Sequence, residues 1–220
     1  MEKKHIALVL LFVFGGKLLP AQDTALQSPL RVIQVEEMVG IKTQFVQLTM
    51  NKNITLNGKT GLLSISGFSA GYDPGNLNSR SQSTSLVYHR FFRNIGVNSG
   101  LTFTPKTGFQ NFIGWQYMLR NQATTILLLQ EYSLKRNQGF FNTAIIEYRP
   151  AIKGDWSLYS RLQLHYNYDF ASKHHNRSYL YARMGLSYRY LGFGLAANVD
   201  RYGAESTTYQ NYGLFLNLNM

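Results

Sequence analysis

The chain has 220 residues, a formal charge of +11 and no cysteine. Its length is about one domain's worth, and the missing cysteine excludes disulfides and any Cys-ligated metal site. Past the N-terminus no apolar run approaches the roughly 18 to 20 residues that cross a bilayer as a helix.

The first element is MEKKHIALVLLFVFGGKLLPAQ: a basic start at Lys3 and Lys4, an apolar run from Ile6 to Phe14, and Ala21 before Gln22. This is a secretory signal-peptide layout, too short and wrongly flanked for a spanning helix, with the expected cut after Ala21. Residues 1–21 are therefore expected to take no part in the mature fold. Removing Lys3, Lys4, Lys17 and Glu2 with them lowers the formal charge to +9. A secreted chain this basic is not expected to meet nucleic acid. A basic lumen or attraction to anionic lipid headgroups fits better.

Residues 22–60 are the least determined part. RVIQVEEMVG (31–40) and IKTQFVQLTM (41–50) fit an extra hairpin, a periplasmic segment or a plug. The alternation of Phe45, Gln47 and Thr49 with Val46, Leu48 and Met50 leans towards the hairpin.

From residue 61 onwards the period is two, and no helical period competes with it. Strands are predicted at about 61–72, 83–92, 95–104, 109–119, 123–134, 140–149, 155–169, 178–190, 193–201 and 210–220. Short connections at Arg93–Asn94, Asn121–Gln122 and Leu191–Gly192 alternate with longer polar ones at 73–83, 171–177 and 202–209. TPKTG (104–108) and KRNQG (135–139) break that rhythm by being short. Asp73–Pro74–Gly75 is turn chemistry.

The stretch WSLYSRLQLHYNYDF (156–170) shows what the alternation separates. Trp156, Leu158, Leu162, Leu164, Tyr166, Tyr168 and Phe170 fall on one face; Tyr159, Arg161, Gln163, His165 and Asp169 fall on the other. A soluble antiparallel sheet also alternates. Strands of 10 to 15 residues, however, match the roughly 9 to 11 tilted residues that cross a bilayer. Aromatics also gather near strand ends on the apolar face: Trp156, Tyr166, Tyr168, Phe170, Tyr188, Tyr190 and Phe193. Tyr and Trp favour the headgroup level, so these seven are expected to form a lipid-facing girdle. The opposite face is expected to carry a lumenal network of Glu131, Glu147, Arg149, Arg161, His165, Asp169, Arg183, Arg189 and Asp200. Lipid leaves no backbone donor unpaired, so the sheet has to close on itself.

The expected fold is thus all-β: a closed antiparallel up-and-down transmembrane barrel of about 10 to 12 strands over 61–220, with or without the 22–60 hairpin. The leader ending in PAQ, the Tyr/Asn-rich strands and the terminal YGLFLNLNM resemble the small outer-membrane β-barrels of Gram-negative bacteria, most of all those of the Bacteroidetes type. The resemblance is one of pattern over nearly the whole mature chain, and no motif singles out a named family. It implies residence in the outer membrane, contact with lipopolysaccharide or phospholipid, handling by the outer-membrane assembly machinery, and a possible envelope protein partner. Barrels of this kind often end in an aromatic residue; here the last residue is Met220, with Phe215 and Tyr212 upstream.

The five histidines are the first candidates for catalysis. The lipid hydrolases of this barrel class resemble one another in pairing His with Ser two residues on, because i and i+2 share a face. Here His89 leads to Phe91, His165 to Asn167, His174 to Asn176 and His175 to Arg177. His165 with Asp169, four residues on, is the remaining candidate pair for a barrel-embedded lipid or peptide hydrolase. His174–His175 lacks a carboxylate at metal-ligand spacing. No catalytic residue, metal or cofactor is assigned. The leading expectation is a non-enzymatic barrel serving as a narrow, anion-preferring channel or as an accessory or structural envelope subunit. A secreted soluble binding module is the other alternative.

Overall fold

A computed structural model describes residues 33–72, 80–105, 107–135, 139–171, 173–203 and 207–220. The leader with its cleavage point, the Asp73–Pro74–Gly75 turn and parts of four other connections lie outside these residues.

The strands are β1 (Ile33–Gly40), β2 (Thr43–Asn53), β3 (Thr60–Gly71), β4 (Arg80–Phe92), β5 (Ile95–Thr104), β6 (Gly108–Arg120), β7 (Thr124–Ser133), β8 (Phe140–Tyr148), β9 (Ala151–Lys153), β10 (Trp156–Asp169), β11 (His174–Tyr188), β12 (Leu191–Tyr202) and β13 (Thr207–Asn219). Apart from β8 and β9, each pairs antiparallel with its sequence neighbours, and β1 pairs with both β2 and β13. The 33–53 region is therefore neither plug nor periplasmic segment among the described residues. It supplies the two staves that close the sheet, and without them β3 and β13 would present unpaired edges.

β8 and β9 are one stave interrupted at Arg149–Pro150, since both pair with β10. Pro150 has no N–H to give, and its carbonyl instead accepts from the Leu158 amide at 3.0 Å. The result is a closed antiparallel barrel of twelve staves.

Following the paired register once around the sheet returns to β1 displaced by about sixteen residues, which for twelve staves means a strand tilt of about 40° and a backbone radius of about 13 Å. A cylinder of that radius is filled across its middle once Arg, Tyr and Phe side chains point inward.

Its two ends differ. One carries the connections after β2, β4, β6, β9 and β11, together with Met220 and the start of β1; the other carries those after β1, β3, β5, β7, β10 and β12. We call them the turn end and the loop end.

Inward and outward faces follow the alternation read from the sequence. On β12, Phe193, Leu195, Ala197 and Val199 point out while Ala196, Asn198 and Asp200 are buried inside. On β13, Leu214, Leu216 and Leu218 point out and Phe215, Asn217 and Asn219 point in.

The interior is less uniformly polar than expected. Along β3 to β8 it is an apolar packing of Leu63, Leu86, Tyr88, Phe112, Met118, Leu127, Leu129 and Phe141. The run Ile126–Leu129 is apolar on both faces, so alternation alone does not reveal that Leu127 and Leu129 fill the bore. Each such side chain contributes about 1.5–3 kcal/mol on burial. Glu36, Arg161, Arg177, Arg183 and Asp200 collect on the remaining wall, from β10 round to β2.

Candidate functional site: a loop-end vestibule above a charged waist

The waist is built around Glu36. It lies on β1 between Gln34 and Met38, which share its inward face, and is 1% exposed. Its Oε1 accepts from Arg183 Nε at 2.9 Å, and its Oε2 accepts from Arg161 Nη1 at 3.1 Å. Arg161 and Arg183 stand opposite each other in the β10–β11 register, so one carboxylate bridges two guanidinium groups across the bore. Arg183 also donates to Asn198 Oδ1 at 2.8 Å.

Arg161 donates to Gln163 Oε1, which also accepts from Gln47 Nε2 at 3.2 Å, while Gln163 Nε2 donates to the Tyr179 hydroxyl at 3.1 Å. An unpaired charge in this position would be costly. Here each charged group is answered, though two cations share one anion.

Towards the turn end a second group sits below the waist. Arg149 Nε lies 2.7 Å from Glu147 Oε1, its Nη2 donates to Asn219 Oδ1 at 3.1 Å, and its guanidinium lies 4.4 Å from the centre of the Tyr159 ring. Asn219 in turn donates to Asn217 Oδ1 at 2.6 Å.

Towards the loop end the wall opens into a vestibule of about 480 Å³. Its floor is the Phe45–Tyr181 pair, in edge-to-face contact at 5.1 Å, with Gln47 and Gln163 beside it. Its sides carry Arg177, Asp200, Arg80, Tyr179 and Asn211.

Arg177 donates to Asp200 Oδ1 at 2.8 Å, to Gln82 Oε1 at 2.7 Å and to the Tyr181 hydroxyl at 3.2 Å. Arg80 rests over the faces of Tyr209 (3.9 Å) and Tyr202 (4.7 Å). Both cations are held by aromatic rings or amides as much as by acid. The vestibule therefore keeps a positive field while its guanidinium groups stay fixed.

Most of the expected lumenal network falls inside the barrel: Glu131, Glu147, Arg149, Arg161, His165, Arg183 and Asp200 all point inward. They do not form one network. Glu131 belongs to the apolar side, on β7, away from the arginines of the waist.

Arg189 is a correction. It sits in the β11–β12 turn at φ 51°, exposed, with Nε donating to Asp155 Oδ2 at 2.7 Å. That hydrogen bond raises its guanidinium further above its ordinary range. The alternation points its position inward, but the strand has already ended at Tyr188.

Asp169 ends β10 and accepts from the Ala171 amide at 2.7 Å in the turn that follows the strand. His165, buried, bonds Thr143 Oγ1 at 3.0 Å and stacks on Tyr179 at 4.9 Å. The candidate His165–Asp169 pair is thus split between the barrel wall and the loop end. His174 and His175 open β11, and His175 Nδ1 lies 3.3 Å from the Gly203 carbonyl.

Sequence reading missed Glu36, Arg177 and Arg80; it set Gln163 on the inward face without a partner. Glu36 was obscured by Glu37 beside it, although Gln34, Met38 and Gly40 mark its face. Arg177 was read as part of the 171–177 connection, whereas β11 begins at His174.

The seven girdle residues all lie on the outer wall or its rims, in two groups. Trp156, Tyr188 and Phe193 meet at the turn end, with ring centres 5.0 and 6.3 Å from Trp156. Tyr190 lies in the turn beside them. Tyr166, Tyr168 and Phe170 surround Phe140 at the loop end, at 6.1, 6.1 and 5.8 Å.

Trp156 and Tyr168 share β10, and twelve residues of strand tilted by about 40° separate them by about 30 Å along the barrel axis. Between the groups the outer wall exposes Leu195, Met184, Leu214, Leu216, Ile113 and Leu101. An apolar band of hydrocarbon thickness between two aromatic rims is stable only in a bilayer. The barrel spans a membrane.

No protein-family model matches the chain, and no curated protein matches it. Among solved structures it is similar to the KdgM porin (TM-score 0.47, 12% identity, covering 86% of this chain and 98% of that one). It is also similar to the NanC porin (0.46, 9%, 86% and 100%). OpdK from Pseudomonas aeruginosa, solved with vanillate, is a third (0.40, 12%, 82% and 68%).

Proposed function

We propose that this chain is a narrow, porin-like channel of the outer membrane that prefers small anions, with the loop end facing outside. The observation that carries the reading is the succession of inward cations down the bore. Arg80 and Arg177 stand at the vestibule, Arg161 and Arg183 at the waist, and Arg149 lies below. A solute descending the bore exchanges one guanidinium for the next, which favours entry of anions and opposes cations.

At the waist, Glu36 sets the barrier. It neutralises part of the charge and ties Arg161 to Arg183, so passage requires the solute's own negative charge to replace its carboxylate.

The test is single-channel recording of the purified protein in planar bilayers under a salt gradient. Small discrete steps with a reversal potential on the anion-selective side are expected. A bilayer without steps, or cation selectivity, overturns the reading.

A second reading, a closed structural or accessory envelope barrel, is favoured by the packed waist. The same recording separates the two. The barrel-embedded hydrolase has no comparable support, since His165 is engaged with Thr143 and Tyr179.

A further inference from the structure

The outer wall carries a furrow of about 610 Å³ that the channel reading does not use. It runs across the strands between two outward-facing rows. The upper row is Trp115, Gln130, Asn142, Tyr166, Ser178 and Arg201, which follow one another in register from β6 to β12. The lower row is Leu128, Ala144, Leu164, Leu180 and Val199, also in register. Ala144 and Ser178 are small enough that the backbone of the inward residues between the rows, including Thr143 and Tyr179, forms the furrow's floor.

The furrow is inclined. Arg201 is the penultimate residue of β12, at the loop end, whereas Trp115 lies in the middle of β6. Five strand-to-strand steps make it about 24 Å long, and at a tilt of about 40° it descends about 15 Å, half the thickness of the hydrocarbon layer. It therefore starts at headgroup level and ends near the bilayer centre.

Its polar groups differ in the same sense. At the foot Trp115 Nε1 donates to Gln130 Oε1 at 3.1 Å, and Gln130 Nε2 donates to the Tyr132 hydroxyl at 2.7 Å. At the head Arg201 is exposed, and none of the ion pairs among the described residues includes it.

We propose that this furrow seats one anionic glycerophospholipid, its phosphate on Arg201 and one acyl chain along the Leu128–Val199 row. The charge is complementary, the depth is that of one leaflet, and the single unpaired cation suits one headgroup phosphate. A multiply phosphorylated glycolipid would call for several cations. The proposal rests on the transmembrane reading and is independent of conduction.

The test is native mass spectrometry of the full chain released from detergent. Dioleoylphosphatidylglycerol or dioleoylphosphatidylcholine is added, with lipid A as competitor. Wild type is expected to retain one phosphatidylglycerol about fivefold more tightly than phosphatidylcholine, the preference one surface arginine supplies. Arg201→Gln removes the preference. Ala144→Phe, which fills the floor, weakens retention of both lipids. Equal retention by wild type, a preference that survives Arg201→Gln, no effect of Ala144→Phe, or stoichiometric displacement by lipid A each overturns the proposal. A chain that stays dissolved without detergent would instead defeat the transmembrane reading itself.

Discussion

Glu36 of β1 and Arg183 of β11 meet across the barrel, the arginine donating from Nε at 2.9 Å to a carboxylate that also holds Arg161. The contact links the first described strand to one of the last. It joins closure of the sheet to filling of the lumen, because Glu36 reaches the arginines only when β1 has paired with β13.

Replacing Glu36 with Gln leaves two guanidinium groups buried against each other. The substitution should cost about 3–5 kcal/mol, the range for removing one partner of a buried ion pair. The temperature at which the compact, unboiled gel species is lost should fall markedly. A variant as heat-resistant as wild type would show that the waist is hydrated and does not hold the barrel together.

Arg80 tests selectivity without that penalty. It lies in the vestibule and is held by the Tyr202 and Tyr209 rings, each contact worth about 0.5–1 kcal/mol. Arg80→Gln should keep the gel mobility of wild type and move the reversal potential towards zero. An unchanged potential would remove the vestibule from the conduction path.

On the outer wall the cost of charge should depend on depth. Leu195, inside the apolar band and largely exposed to its surroundings, should lose about 2–4 kcal/mol when changed to Arg; Tyr190→Arg, in the turn, should lose about 0–1 kcal/mol. Folding titrations in urea with phospholipid vesicles would measure both, and equal costs would contradict a bilayer between the two aromatic rims.

Gly185 tests the packing of neighbouring staves. A Cβ there would lie 2.0 Å from the Phe193 carbonyl oxygen, a backbone atom with no side-chain freedom to move aside. Gly185→Ala should destabilise the barrel by about 1–3 kcal/mol through forced backbone shifts. Undiminished stability in the same titration would mean that β11 and β12 can separate locally without loss.

Much of the barrel was legible because a bilayer imposes a strict period on a closed sheet. The predicted 95–104 strand coincides with β5, and 155–169 differs from β10 by one residue at its start. The 33–53 hairpin was readable only as a preference, since Phe45 and Gln47 show alternation but not its partner strand. β9 left no signal, being three residues behind a proline.

The site was harder to read, for two physical reasons. Alternation assigns a face but stops at the strand end, which is why Arg189 was placed inside and Arg177 was left in a loop. It also says nothing of who meets whom across the bore. Glu36 and Arg161 lie 125 residues apart and are brought together by the barrel's shear and closure, neither of which is written in any one segment.

Because the chain has no cysteine, single spin labels can be placed without background. Labels at Leu195 and Leu214, on the outer wall, and at Ser69, in the vestibule, should be compared in reconstituted vesicles for relaxation by oxygen and by a water-soluble nickel chelate. Leu195 and Leu214 should respond to oxygen and be sheltered from nickel, with Ser69 showing the reverse. Nickel reaching all three equally would contradict a barrel whose outer wall lies in hydrocarbon.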